Sequence, residues 1–199
     1  MAMKSKAPQL NKTTKSLKSL FPALSALIVF TPLMVSAETT ISGSTNEPQI
    51  FSTDTAYIIS EGISISSTTT APAVTVSDGV VLNVTNSGQV TGTGDGMMIA
   101  TGSQTLEVNN RANALIRSTG ANGITVNKMG GQINNAGTIN GAEKGIKVLE
   151  DSNSFNIANT ATGTIEGKVA ISADVGVTLN NAGTINGSAG NGVEFNNAG

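Results

Sequence analysis

The residue types that carry chemistry are sparse in this chain, and their spacing limits what they can do. There is no histidine, cysteine or tryptophan among the 199 residues. Ser-His-Asp and Cys-His catalysis, histidine-containing zinc sites and the HExxH zinc motif therefore lack their side chains. Glu150-Asp151 is the one adjacent acidic pair. It falls between strand-like segments and reads as a solvated turn, not as a catalytic or calcium-binding pair. "GTGDG" (Gly92 to Gly96) is faintly similar to calcium-binding nonapeptide repeats, but those work in tandem and this copy is single. "GSAGNG" (Gly187 to Gly192) is rich in glycine yet lacks the spacing and following helix of a phosphate loop. Asn83-Val84-Thr85 and Asn186-Gly187-Ser188 fit a glycosylation sequon, which has meaning only in a eukaryotic secretory pathway. A carbohydrate-active β-helix would cluster acidic and basic residues over one sheet. Arg111, Arg117, Lys128, Lys144, Lys147 and Lys168 do not recur at one repeat position. The expectation is a chain without catalytic residues, metal or cofactor.

What does recur is asparagine. The pattern apolar-x-Asn appears at Asn86, Asn110, Asn135, Asn159, Asn181 and Asn197, with spacings of 24, 25, 24, 22 and 16 residues. After each of the first five comes a turn and a further apolar residue: Val90, Ile116, Ile139, Ile165 and Ile185. The turns after Asn110 and Asn159 are two residues longer than the other three. A second alternating segment follows in each unit: "GMMIA", "GITV", "GIKV", "KVAIS" and "GVEF". A third reads "QTLEV", "GGQIN", "SFNIA" and "GVTLN".

Alternation over four or five positions marks half-buried strands, and glycine or Asn-Gly pairs between them supply turns. A period near 24 residues with three short strands predicts an all-β parallel β-solenoid, one unit per coil. Six coils from near residue 60, at the normal strand spacing, would give a rod about 29 Å tall. The spacing aligns Met97, Ile124, Ile146, Val169 and Val193 as one inward column. Ile99, Val126, Val148, Ile171 and Phe195 form its neighbour. Val and Ile fill such a bore, which Phe or Trp is expected to overfill. The six asparagines would stack at one corner, each amide donating to the next and accepting from the last. Asn140, in an Asn-Gly pair, reads instead as an exposed turn.

The ends carry different information. Lys4, Lys6, Lys12, Lys15 and Lys18 form a basic leader, followed by the apolar run Leu20 to Val35 and then Ser36-Ala37. The run is shorter than the ~20 residues that span a bilayer. Pro22 and Pro32 also interrupt it. It therefore predicts a signal peptide over 1–37, cut between Ala37 and Glu38. Beyond the cut, six cations face thirteen acids, a net charge of −7. That sign repels phosphate backbones and argues against nucleic-acid binding. All 23 glycines lie in this part, and its aromatic residues are Phe51, Tyr57, Phe155 and Phe195.

The long basic leader, the absence of cysteine and the "NNAGTING" coils together resemble the N-terminal part of the passenger of bacterial type V autotransporters. The resemblance covers residues 1–199, and two-partner secreted adhesins share the repeat. It implies a right-handed parallel β-helix at the cell surface or outside the cell, followed in cis by an outer-membrane barrel. Host cells, neighbouring cells or other passenger copies are the implied partners. No barrel is visible in this sequence. The division expected is a signal peptide over 1–37, a polar capping segment over 38–60 and β-helix coils over 61–199. Gly199 falls in mid-repeat without a cap, so the chain is expected to be a fragment that frays or self-associates when made as residues 38–199. A stand-alone secreted or periplasmic solenoid, and the non-catalytic part of a carbohydrate-active β-helix enzyme, are the competing readings.

Overall fold

Short alternating segments between turns become short strands. A computed structural model describes residues 37–77, 81–100, 106–127, 130–149 and 155–196. An opening turn supplies β1 (Glu38–Ile41) and β2 (Gln49–Phe51). Six coils of three strands follow. The first holds β3 (Ala56–Ile59), β4 (Ser64–Ser67) and β5 (Val74–Val76); the second β6 (Asn83–Asn86), β7 (Gln89–Gly92) and β8 (Met97–Ile99). The third holds β9 (Leu106–Asn110), β10 (Leu115–Ser118) and β11 (Ile124–Val126). The fourth holds β12 (Gly131–Asn135), β13 (Thr138–Asn140) and β14 (Lys144–Val148). The fifth holds β15 (Phe155–Asn159), β16 (Thr164–Gly167) and β17 (Val169–Ala173). The sixth holds β18 (Val177–Asn181), β19 (Thr184–Gly187) and β20 (Val193–Phe195).

Each strand pairs in parallel with its counterpart one coil away. The first sheet runs β1-β3-β6-β9-β12-β15-β18, the second β4-β7-β10-β13-β16-β19 and the third β2-β5-β8-β11-β14-β17-β20. The fold is thus an all-β solenoid of three parallel sheets. Among the described residues there is no helix.

Strands begin earlier than the sequence suggests. Segment 38–60, read as a polar capping segment, carries strands: Glu38 pairs with Ala56, Ile41 with Ile59 and Phe51 with Val76. The physical reason is that these strands lack the corner asparagine, and in β3 the outward positions are Ala56 and Ile58, which blur the alternation around buried Tyr57 and Ile59. The opening turn has no strand in the second sheet, and a single bridge from Thr45 to Ile65 stands there.

Inward residues stack by type. Tyr57, Val84, Val108, Ile133, Ile157 and Leu179 form one column of the first sheet. Ile65, Val90, Ile116, Ile139, Ile165 and Ile185 form the column of the second. All but Leu179 and Ile185, at the last coil, are buried.

In the third sheet the register departs from expectation at β17. Ile171, not Val169, follows Ile146 and precedes Val193, while Ala173 lies between Val148 and Phe195. Val169 pairs with Lys144 instead. A slip of two residues keeps every side chain on its own face, so alternation alone cannot detect it. The corner decides: the path from Ile139 to Ile146 takes seven positions and that from Ile165 to Ile171 takes six, whereas Val169 would leave four.

The bore also admits larger rings than expected. Phe155 is fully buried, and its partner one coil below is Gly131. Phe51 is buried in the opening turn, with its ring stacked on Tyr57 at 4.1 Å between centroids.

The corner between the first and second sheets has a two-coil rhythm. Long turns at Ser60–Ile63, Arg111–Ala114 and Thr160–Gly163 each close with an N–H donated back to the first carbonyl. Short turns at Ser87-Gly88, Ala136-Gly137 and Ala182-Gly183 alternate with them. A Cβ on Gly137 would lie 2.4 Å from the carbonyl oxygens of both Arg111 and Ala114. Gly88 and Gly183 meet the long turn beneath them in the same way. Each short turn is therefore seated in the long turn below, a fit that only glycine allows. Asn113 and Gly62 take positive φ (65° and 75°) at equivalent places in two of the long turns.

Candidate functional site: the asparagine ladder and the outer faces

The last inward residue of each first-sheet strand from β6 onward is asparagine. Register places Asn86 beside Asn110, Asn110 beside Asn135, Asn135 beside Asn159 and Asn159 beside Asn181. Asn86 Nδ2 donates to Asn110 Oδ1 at 2.9 Å. Asn110 to Asn135, Asn135 to Asn159 and Asn159 to Asn181 repeat the bond at 2.8 Å. Asn197 lies outside the described residues.

The second amide proton is used too. Asn86, Asn110, Asn135 and Asn159 donate to the carbonyls of Leu115, Thr138, Thr164 and Thr184, at 3.1, 3.2, 3.1 and 3.1 Å. Each of these carbonyls starts the second-sheet strand of the next coil. One side chain thus ties its coil to the next on both sides of the corner. The sequence pattern foretells the stack but not this second bond, because the carbonyl carries no residue signature. Asn86, Asn110, Asn135 and Asn159 are 0–2% exposed, so their amide groups have no water to turn to. The ladder starts above Ile59, and there Asn86 Oδ1 accepts from the Gly88 N–H at 3.1 Å.

The other singled-out residues take structural places. Asp95 of "GTGDG" is 8% exposed and its Oδ1 accepts the Asn122 N–H of the next coil at 3.0 Å. Among the described residues no three His, Cys, Asp or Glu side chains gather to hold a metal ion. In "GSAGNG" the N–H groups of Ser188 and Ala189 bond to the carbonyls of Gly167 and Lys168, so they do not point at a phosphate. Asn83 faces outward, and its amide oxygen accepts from Thr85 Oγ1 at 3.1 Å. Asn140 is not a turn but a half-buried strand residue on the outer face of β13, donating to Glu166 Oε2 at 2.9 Å. Lys168 pairs with Glu143, both exposed. Lys128 and Glu150-Asp151 lie outside the described residues, as does the leader. Ala37 and Glu38 are exposed, and Glu38 is the first residue of β1.

From β6 onward the outward columns of the first sheet are built mainly of amides and hydroxyls; β3 and β1 continue them with Ala56, Ile58, Glu38 and Thr40. One column runs Asn83, Glu107, Gln132, Asn156, Thr178, the other Thr85, Asn109, Asn134, Ala158, Asn180. Asn134 Nδ2 donates to Glu107 Oε1 at 2.8 Å and to Asn109 Oδ1 at 3.0 Å, which fixes part of the face. Comparison with family models, with curated proteins and with solved structures finds no match.

Proposed function

We propose that the chain is a surface-exposed structural and adhesive module, the β-helical passenger region of an autotransporter-type exported protein. The observation that carries this reading is the outer face of the first sheet from β6 to β18: two parallel columns made mainly of Asn, Gln and Thr, with Ala158 as the one apolar residue and Glu107 as the one charge in that stretch. A stiff rod that repeats one polar surface at strand spacing suits weak contacts made many times over. The resemblance of leader and repeat to autotransporter passengers supplies the setting. In that setting an outer-membrane barrel in cis anchors the rod, and host cells, neighbouring cells or other copies are its partners. A cut after Ala37 would fall at the first residue of β1, Glu38, and would remove the Ala37 carbonyl that accepts from the N–H groups of Thr55 and Ala56.

The test uses cells that carry the gene. Antibody against residues 38–199 should label intact cells, the exported protein should begin at Glu38, and deleting the gene should weaken attachment to other cells. Labelling only after permeabilisation would contradict the surface reading, and unchanged attachment would contradict the adhesive one.

A further inference from the structure

We propose that the notch between the turns Ser60–Ile63 and Arg111–Ala114 binds a neutral oligosaccharide. Its walls are long turns two coils apart, so they stand about 9.6 Å from one another, twice the strand spacing. The short turn Ser87-Gly88 between them makes the floor, kept low because it is seated in the turn beneath. The space is about 550 Å³. Small-molecule sites commonly span about 300–1,000 Å³.

Backbone recognition is closed off at this floor. The N–H groups of Ser87, Gly88 and Gln89 bond to Ile59 O, Asn86 Oδ1 and Ile63 O, and the Gly88 carbonyl accepts from Leu115. An extended peptide would find no free strand edge to pair with. Recognition falls to side chains: Glu61 on one wall, Arg111 and Asn113 on the other, Gln89 on the floor. Among the described residues none of these four side chains has a hydrogen-bond or ion-pair partner.

Their charges select the ligand. A carboxylate or phosphate drawn to Arg111 is repelled by Glu61 across the notch, and a cation meets the reverse. A hydroxyl both donates and accepts. It can give its proton to Glu61 and take one from Arg111, Asn113 or Gln89. A chain of sugar rings offers such groups along both edges. No aromatic ring lines the notch, so single-site binding is weak and multivalency must strengthen it. The next notch along the corner differs. Thr162 Oγ1 donates to the Ala136 carbonyl at 2.8 Å, so a side chain of the wall already lies across the floor.

This inference deepens the adhesive reading and rests on it for its setting. The binding itself is tested on the protein in solution. Amide NMR spectra are followed as maltotriose, cellotriose or triacetylchitotriose is added, with sialyllactose and trilysine as charged controls. At least one neutral trisaccharide should shift Gly62, Ser87 and Asn113 while leaving Thr162 in place. Glu61→Gln and Arg111→Gln, both at exposed positions, should each weaken that binding by about tenfold with the remaining spectrum unchanged. The proposal is overturned if no neutral sugar shifts these amides, if a charged control shifts them more, or if neither substitution changes the affinity. Attachment of cells separates the two ideas. Wild-type attachment without sugar binding sinks the notch alone, and sugar binding without wild-type attachment sinks the adhesive reading alone.

Discussion

The side-chain amide of Asn135 donates to that of Asn159 at 2.8 Å across 24 positions of sequence, and both groups are buried. Asn135 also accepts from Asn110 and donates to the Thr164 carbonyl. Replacing it by leucine therefore strands three partners in a place without water.

Asn135→Leu is expected to lower stability by about 1–3 kcal/mol, the cost of leaving buried polar groups unpaired. Asn140→Leu removes a half-buried bond to Glu166 and should cost about 0.5 kcal/mol. Urea unfolding of both variants checks the difference. Equal midpoints would mean that the column reflects turn preference alone.

The short-turn glycines give a second contrast. Gly137→Ala forces a methyl group to 2.4 Å from two carbonyl oxygens, and the turn must lift from the one below. The expected loss is about 3 kcal/mol. A Cβ on Gly176 meets nothing within 4 Å, so Gly176→Ala should change stability by no more than about 0.5 kcal/mol. Thermal melts of the two proteins measure both.

Register in the third sheet is tested by a neighbouring pair. Ile171 is fully buried beside Ile146, and Ile171→Ala should cost about 2–5 kcal/mol. Val169, half-buried beside Lys144, should cost about 1 kcal/mol or less when cut to alanine. The reverse order would restore the register that places Val169 in the column.

Tyr57 is the one tyrosine of the chain. Burial pushes its phenol up, but the Thr53 side chain and the N–H groups of Thr53, Asp54 and Ser52 all bond to its oxygen and bring it below its usual value of 10.0. The native state then releases this proton at lower pH than the unfolded chain. In the window between the lowered folded value and about 10, the unfolded state holds more protons, so stability should rise with pH through this group. Ultraviolet titration of the phenolate should show the lowered value in native protein and its return in denaturant. Tyr57→Phe should remove that part of the slope.

Two features made the solenoid legible. The asparagine marked one corner in each coil from Asn86 on, and the single apolar residue after it fixed the second sheet. What escaped did so for physical reasons. A two-residue slip at β17 leaves the pattern of faces intact, so Val169 and Ile171 look alike until the corner length is counted. Strands β1 to β3 lack the asparagine, and Ile50 in β2 and Ile58 in β3 are apolar residues on the outer face, so neither the mark nor a clean alternation points to them. Phe155 lies in register with Gly131, a pairing of residues 24 positions apart that composition does not reveal. The long and short turns were visible as insertions, but the notch between Glu61 and Arg111 exists only once coils are stacked at strand spacing.

The most direct measurement of the ladder and register is the set of through-space contacts between asparagine side-chain amides in a solution NMR spectrum. The stack predicts an unbroken series from Asn86 to Asn110, Asn135, Asn159 and Asn181, with the amide protons of the buried Asn86, Asn110, Asn135 and Asn159 slow to exchange and Asn140 outside the series. Contacts that instead join Asn86 to Asn109, or side-chain amides that exchange as freely as those of an unfolded chain, would contradict it.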